Sequence, residues 1–199
     1  MPLPLLPRLR RETAQAHARL EATVLIEDCI KDLDCYRELL KQFLGYYQPL
    51  ETALENVSGW EDWDIDLSQR RKAPWIQHDL SALGLSPEEI RHLPRCPPSL
   101  LPETRSLAQA FGCAYVLEGS TLGGRHISVM LDGSPVPPGA RRFFLSHGAQ
   151  VLPMWKAFCS AMENFNLNAS TSQTDELIGA ANQTFAHLQR WMDRDRDRD

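Results

Sequence analysis

The chain has no apolar run near the ~20 residues that a membrane-spanning helix requires. Its start, Met1 to Pro7, is apolar but broken by Pro2, Pro4 and Pro7. It carries neither a basic leader nor a small-residue cleavage site, so no signal peptide is read there. A basic excess is also missing. The formal net charge is -5, which leaves nothing global to hold a polyphosphate backbone and argues against a nucleic-acid partner. Cysteines are few and odd in number, five in all, and none forms a CxxC pair. A disulfide framework and a structural zinc site are therefore not expected, and reduced thiols in a cytoplasmic protein are. No stretch alternates as a half-buried strand does, and no internal repeat recurs.

What is there fits one globular domain. The 199 residues are 43% hydrophobic and 24% charged, long enough to bury a sizeable core. The domain is expected over 1–192, with 193–199 as a tail in which Asp and Arg alternate. Apolar residues recur at helical spacing through Leu9, Ala16, Leu20 and Val24, and again through Tyr36, Leu39, Leu40, Phe43, Tyr47, Leu50 and Leu54. The second pattern predicts a helix over 34–57, kinked at Pro49. Further helices are predicted over 71–83, 103–130, 140–146, 151–165 and 174–191. Gly84 closes the first of these, and Ser86-Pro87-Glu88-Glu89 opens the short helix that follows. The class is all-α, a single-domain bundle of about seven or eight helices.

Two segments carry chemistry. In Leu9 to Glu21, the residues Thr13, His17 and Glu21 recur every four positions and share a helix face. Arg10 lies two turns before His17, about 10 Å along the axis. An imidazole on such a face is a ligand type, its second nitrogen oriented by Glu21 or by water. Taken alone, it reads more readily as a surface or packing histidine than as a ligand. The second segment, Tyr115 to His126, places Gly119 and Gly123 one turn apart and adds Gly124. Each glycine costs roughly 1 kcal/mol against alanine in a helix. The bare patch lets backbone approach a flat ligand, or lets two helices pack closely. No strand precedes it, so it is not a dinucleotide fingerprint.

Together these segments resemble the haem oxygenase family. Leu-Arg-x-x-Thr-x-x-x-His-x-x-x-Glu, from Leu9 to Glu21, is similar to the family's proximal helix, and Glu118-Gly119-Ser120-x-Leu122-Gly123-Gly124 to its distal helix. Arg71-Lys72-Ala73 with Asp79-Leu80, then Phe143-Phe144 and Trp155-Lys156, extend the likeness over residues 9 to 165. The wording is closest to the bacterial branch, including enzymes that supply bilin to bacteriophytochromes. The resemblance implies haem b as both substrate and cofactor, cleaved at a meso carbon to biliverdin with release of CO and Fe(II). Oxygen and electrons from a reductase or a ferredoxin- or flavodoxin-type donor are consumed, and a bilin-accepting phytochrome is a further partner.

The resemblance also assigns residues. His17 is the axial iron ligand, oriented by Glu21. Gly119, Ser120, Gly123 and Gly124 form the distal face, and Arg10, Tyr115 and Lys156 meet the propionates. Ser120 stands where animal-type members have an aspartate that organises distal water. The competing reading is a non-enzymatic haem-binding or storage protein. A third keeps the fold but takes a thiamin-related or quinone-precursor molecule, with Cys113 the residue to note. His126 is a weaker ligand candidate; His78, His92, His147 and His187 read as surface or packing residues.

Overall fold

The computed structural model describes residues 4–194. These form an all-α bundle: α1 (Leu5–Thr23), α2 (Ile26–Cys29), α3 (Leu33–Glu55), α4 (Ala73–Ala82), α5 (Pro87–His92), α6 (Leu107–Met130), α7 (Arg142–Leu145), α8 (Val151–Asn168) and α9 (Thr171–Asp193). α2 and α7 are single turns of four residues, so among the described residues seven helices are longer than that, as the periodicity predicts. No strand occurs among them, and none of their helices is long and apolar enough to cross a membrane. The charged tail expected over 193–199 begins at the end of α9; residues 195–199 lie outside the described residues.

Local chemistry sets the boundaries. Ser86 and Glu89 form a reciprocal capping box at α5, and Gly84 takes φ +94° to end the turn after α4. The helix expected from residue 103 starts at Leu107 instead. Ser106 supplies its N-cap, accepting from Gln109 N–H at 3.2 Å, and Pro102 keeps the preceding segment extended.

α3 runs through Pro49 over its whole length. Pro49 has no N–H for the Gly45 carbonyl. The N–H of Cys96 supplies the missing bond at 2.8 Å from the connector after α5. Gly45 must be bare for this approach, because a Cβ there would sit 2.4 Å from the Trp191 ring and 2.8 Å from the Pro94 carbonyl. Trp191 in turn donates its indole N–H to the Gln42 carbonyl at 2.7 Å, tying α9 to α3.

The core lies between α3, α6, α8 and α9. Phe111 of α6 meets Trp60 at 4.9 Å, Phe165 at 5.0 Å and Phe158 at 6.0 Å between ring centres. α9 packs on both α1 and α6. At Gly112 the α6 and α9 backbones nearly touch: a Cβ would lie 2.1 Å from the Leu177 carbonyl oxygen.

The cysteines overturn one expectation. Cys29 and Cys35 form a disulfide, with Cα atoms 4.8 Å apart. The turn between α2 and α3 folds the chain back, and the Asp32 cap on Cys35 N–H (2.8 Å) sets Cys35 in the first turn of α3 beside Cys29. Spacing in sequence carries no sign of that return. Cys96, Cys113 and Cys159 are free and buried, as expected.

Asp79, fully buried on α4, holds α7 in place. It accepts the N–H groups of Arg142 at 2.8 Å and Phe143 at 2.7 Å. Burial raises its pKa, outweighing those two bonds and His78. The folded state thus keeps the Asp79 proton to higher pH than the unfolded chain, whose value is about 3.9. The Asp79 contribution to stability therefore falls as pH rises from about 4 to the raised value, then stays level. Asp79→Asn is expected to lose about 1–3 kcal/mol, since one acceptor becomes a donor. Urea unfolding from about pH 4 to pH 6 should show the gap between wild type and variant narrowing as pH rises. A widening gap would mean that the N–H bonds outweigh burial.

Candidate functional site

α1 packs on the bundle through Leu5, Leu9 and Thr13, all buried. Its first two N–H groups, on Leu5 and Leu6, lack a capping side chain of their own and donate instead to Glu163 of α8, at 3.0 and 2.9 Å. Thr13 is buried, its hydroxyl donating to Leu9 carbonyl at 2.8 Å. Here α1 meets α6: the half-buried Tyr115 hydroxyl lies against Thr13 and Arg10, and burial raises its pKa while those two groups oppose the rise.

From this junction α1 runs one turn on to His17. The His17 side chain is 53% exposed, with Nε2 3.6 Å from Glu21 Oε1, and its ring stands edge-on to Phe185 of α9 at 5.3 Å. It is therefore neither a core histidine nor engaged by a strong hydrogen bond. Glu21 stands on the same face one turn on, beyond hydrogen-bond distance of the ring.

Along α6 the four glycines divide into two kinds. Gly112 is required by packing against α9, and Gly124 by the Phe144 backbone, whose carbonyl oxygen would lie 2.9 Å from a Cβ. Gly119 and Gly123 are not required by the fold. A Cβ at Gly119 would meet nothing nearer than the Trp155 ring at 3.9 Å, and one at Gly123 nothing within 4 Å. The patch is bare without a protein neighbour to explain it. The sequence places Gly124 with the other two; in the structure its missing side chain seats α7 against α6.

Ser120, half-buried between the bare glycines, donates its hydroxyl to the Leu117 carbonyl at 2.7 Å. The side chain of buried Tyr47, on α3, lies near Ser120, and burial pushes the Tyr47 phenol up to about 12, with Ser120 opposing the rise. Tyr47 thus belongs to the site, although its helical spacing reads only as core. On α8, Trp155 is buried 5.7 Å from the Tyr115 ring, while Lys156 beside it points outward and is exposed. Arg10 is exposed on α1, near Tyr115.

Burial pushes the Cys113 and Cys159 thiols up to about 11, so neither is a nucleophile near neutrality. No group of three or more His, Cys, Asp or Glu that could hold a metal ion occurs among the described residues. His126 is exposed on α6; His78 and His92 are exposed beside Asp79 and Glu88. His147 is half-buried against Trp75, and His187 is half-buried on α9.

A half-exposed histidine on one helix and an unpacked glycine patch on another, linked through Tyr115, mark this all-helical protein. The profile of the family described as "Heme oxygenase" matches residues 3–194, and the chain belongs to the haem oxygenase family, whose members are haem-degrading enzymes. A curated "Heme oxygenase" from Xanthomonas campestris pv. campestris (strain 8004) is 28% identical over 170 residues, 79% of this chain and 88% of that protein. The NO- and CO-bound heme oxygenase from Neisseria meningitidis superposes with a TM-score of 0.75 at 19% identity, covering 96% of this chain and 91% of the other. Heme oxygenase from Leptospira interrogans gives a TM-score of 0.73 at 17% identity, with 96% and 98% covered. These two share the fold.

Proposed function

We propose that this protein opens haem at a meso carbon to biliverdin, releasing CO and iron, with O2 and electrons from a ferredoxin- or flavodoxin-type donor. The observation that carries the reading is the backbone patch at Gly119 and Gly123, bare where no protein atom needs it to be. It suits the close approach of a flat macrocycle. An available imidazole on the adjoining helix supplies an axial ligand type that favours oxygen chemistry short of thiolate-driven O–O cleavage.

His17 would hold the iron and Glu21 would orient its ring. Arg10 and Lys156 would meet the propionates by charge-assisted bonds, with Tyr115 adding its hydroxyl. Haem, the substrate, supplies its own iron for activating oxygen when bound. This chain supplies orientation and exclusion. The Tyr47–Ser120 pair offers hydroxyl groups for holding water where other members use a carboxylate, and the half-buried wall around Trp155 keeps bulk water from that side. Ser120 is neutral, so it cannot act as a strong acid toward bound oxygen, which suits a reaction that must retain the O–O bond. Residues 1–192 act as one unit in this reading, and a bilin-accepting phytochrome is the expected consumer of the product.

Titration with haem, then addition of reductant and O2, tests the proposal. Saturation at about one haem per chain followed by a bilin absorbance and CO supports it. Tight binding without bilin would make the protein a haem carrier, and no specific binding would remove haem from its function.

A further inference from the structure

One buried cluster is not used by the chemistry above. Glu118, immediately before Gly119, is 3% exposed and accepts from Arg70 Nη1 and Lys72 Nζ, each at 2.5 Å. Arg70 is 7% exposed and Lys72 2%. Lys72 Nζ also donates to the Arg70 carbonyl at 2.7 Å, and Arg70 reaches the Met154 carbonyl of α8 at 3.3 Å. Glu51 of α3 accepts the backbone N–H of Lys72 at 2.6 Å and of Ala73 at 3.2 Å. One carboxylate on α6 is thus gripped by two cations from the 67–72 segment, which is itself bonded to α3 and α8.

We infer that the Glu118–Arg70–Lys72 clamp is a positioning device that sets the depth and rotation of α6 at Gly119 and Gly123, and through them the distal wall of the haem pocket. Two arguments lead there. Buried ion pairs rarely stabilise a fold more than apolar residues of the same volume, so stability alone gives little reason for three buried charges. Gly119 and Gly123 bring no side chain to key the helix against a neighbour, so between the close contacts at Gly112 and Gly124 fewer side chains set this stretch of α6. Glu118 is next in sequence to that stretch, and its two partners pull from one direction with defined geometry. The inference rests on the haem reading for its consequence, but the rigidity of α6 stands apart from it.

The test uses the apolar triple variant R70M/K72M/E118L, with E118Q as the single-site companion if the triple fails to fold. Amide exchange across 117–124 is measured in haem-free protein, and haem affinity and bilin isomer composition in loaded protein. A variant at least as thermally stable as wild type, yet with exchange in 117–124 faster by about tenfold, haem affinity weaker by about tenfold and mixed bilin isomers, supports the clamp. A stable variant with wild-type exchange, affinity and a single isomer overturns it. If wild type itself fails to bind haem, the functional reading falls, and the exchange data alone decide whether the clamp orders α6.

Discussion

His17→Ala is expected to fold as wild type does and to lose haem turnover by more than about 100-fold, or about 2.7 kcal/mol of transition-state stabilisation. The separation follows from the surroundings of the side chain. Roughly half of it is exposed, its ring touches Phe185 by one edge, and Glu21 stands at 3.6 Å, beyond a good hydrogen bond. Little packing is lost with it, and alanine is the better helix former by a few tenths of a kcal/mol. Apo thermal unfolding should therefore move by no more than about 2 °C. The haem complex should lose its histidine-type spectrum, and added imidazole should restore part of it by filling the space left. An unchanged spectrum would transfer ligation to another residue, with the exposed His126 of α6 the first to test.

The helices were legible in the sequence because their signals are local. Apolar spacing marked α1 and α3, and Ser86 and Gly84 marked ends that the structure shows as a capping box and a left-handed glycine. His17 and the glycine run were legible as a pattern, and the structure places both on helices that meet at Tyr115. What escaped depends on contacts between residues far apart in the chain. Tyr47 reads as one more apolar-face residue, and only the packing of α3 against α6 brings it near Ser120. Glu118 reads as part of the glycine motif, whereas its partners come from the 67–72 segment. The Cys29–Cys35 bond depends on a turn whose direction no spacing rule gives. The glycines of α6 look alike in sequence, and only their neighbours divide them into two that the fold needs and two that it does not.

That division yields the second large effect, a pair of substitutions with opposite signs. Gly112→Ala puts a methyl group 2.1 Å from the Leu177 carbonyl oxygen and 3.0 Å from Ala180 Cβ, with backbone on both sides and no flexible side chain to yield. α6 and α9 must move apart along their longest contact, at an expected loss of about 3 kcal/mol, or roughly 6–12 °C in Tm. Gly123→Ala meets nothing within 4 Å. There the helix gains what glycine withholds, about 1 kcal/mol, and Tm of the haem-free protein should rise by roughly 2–4 °C. If the patch exists to admit haem, the same methyl group should weaken haem binding or turnover by about tenfold, near 1.4 kcal/mol. A more stable but less active protein is the signature of a residue kept for its ligand against the preference of its helix. Should Gly123→Ala instead be more stable and equally active, Gly123 would not line the haem face, and the distal wall would have to be sought around Gly119 and Ser120 alone.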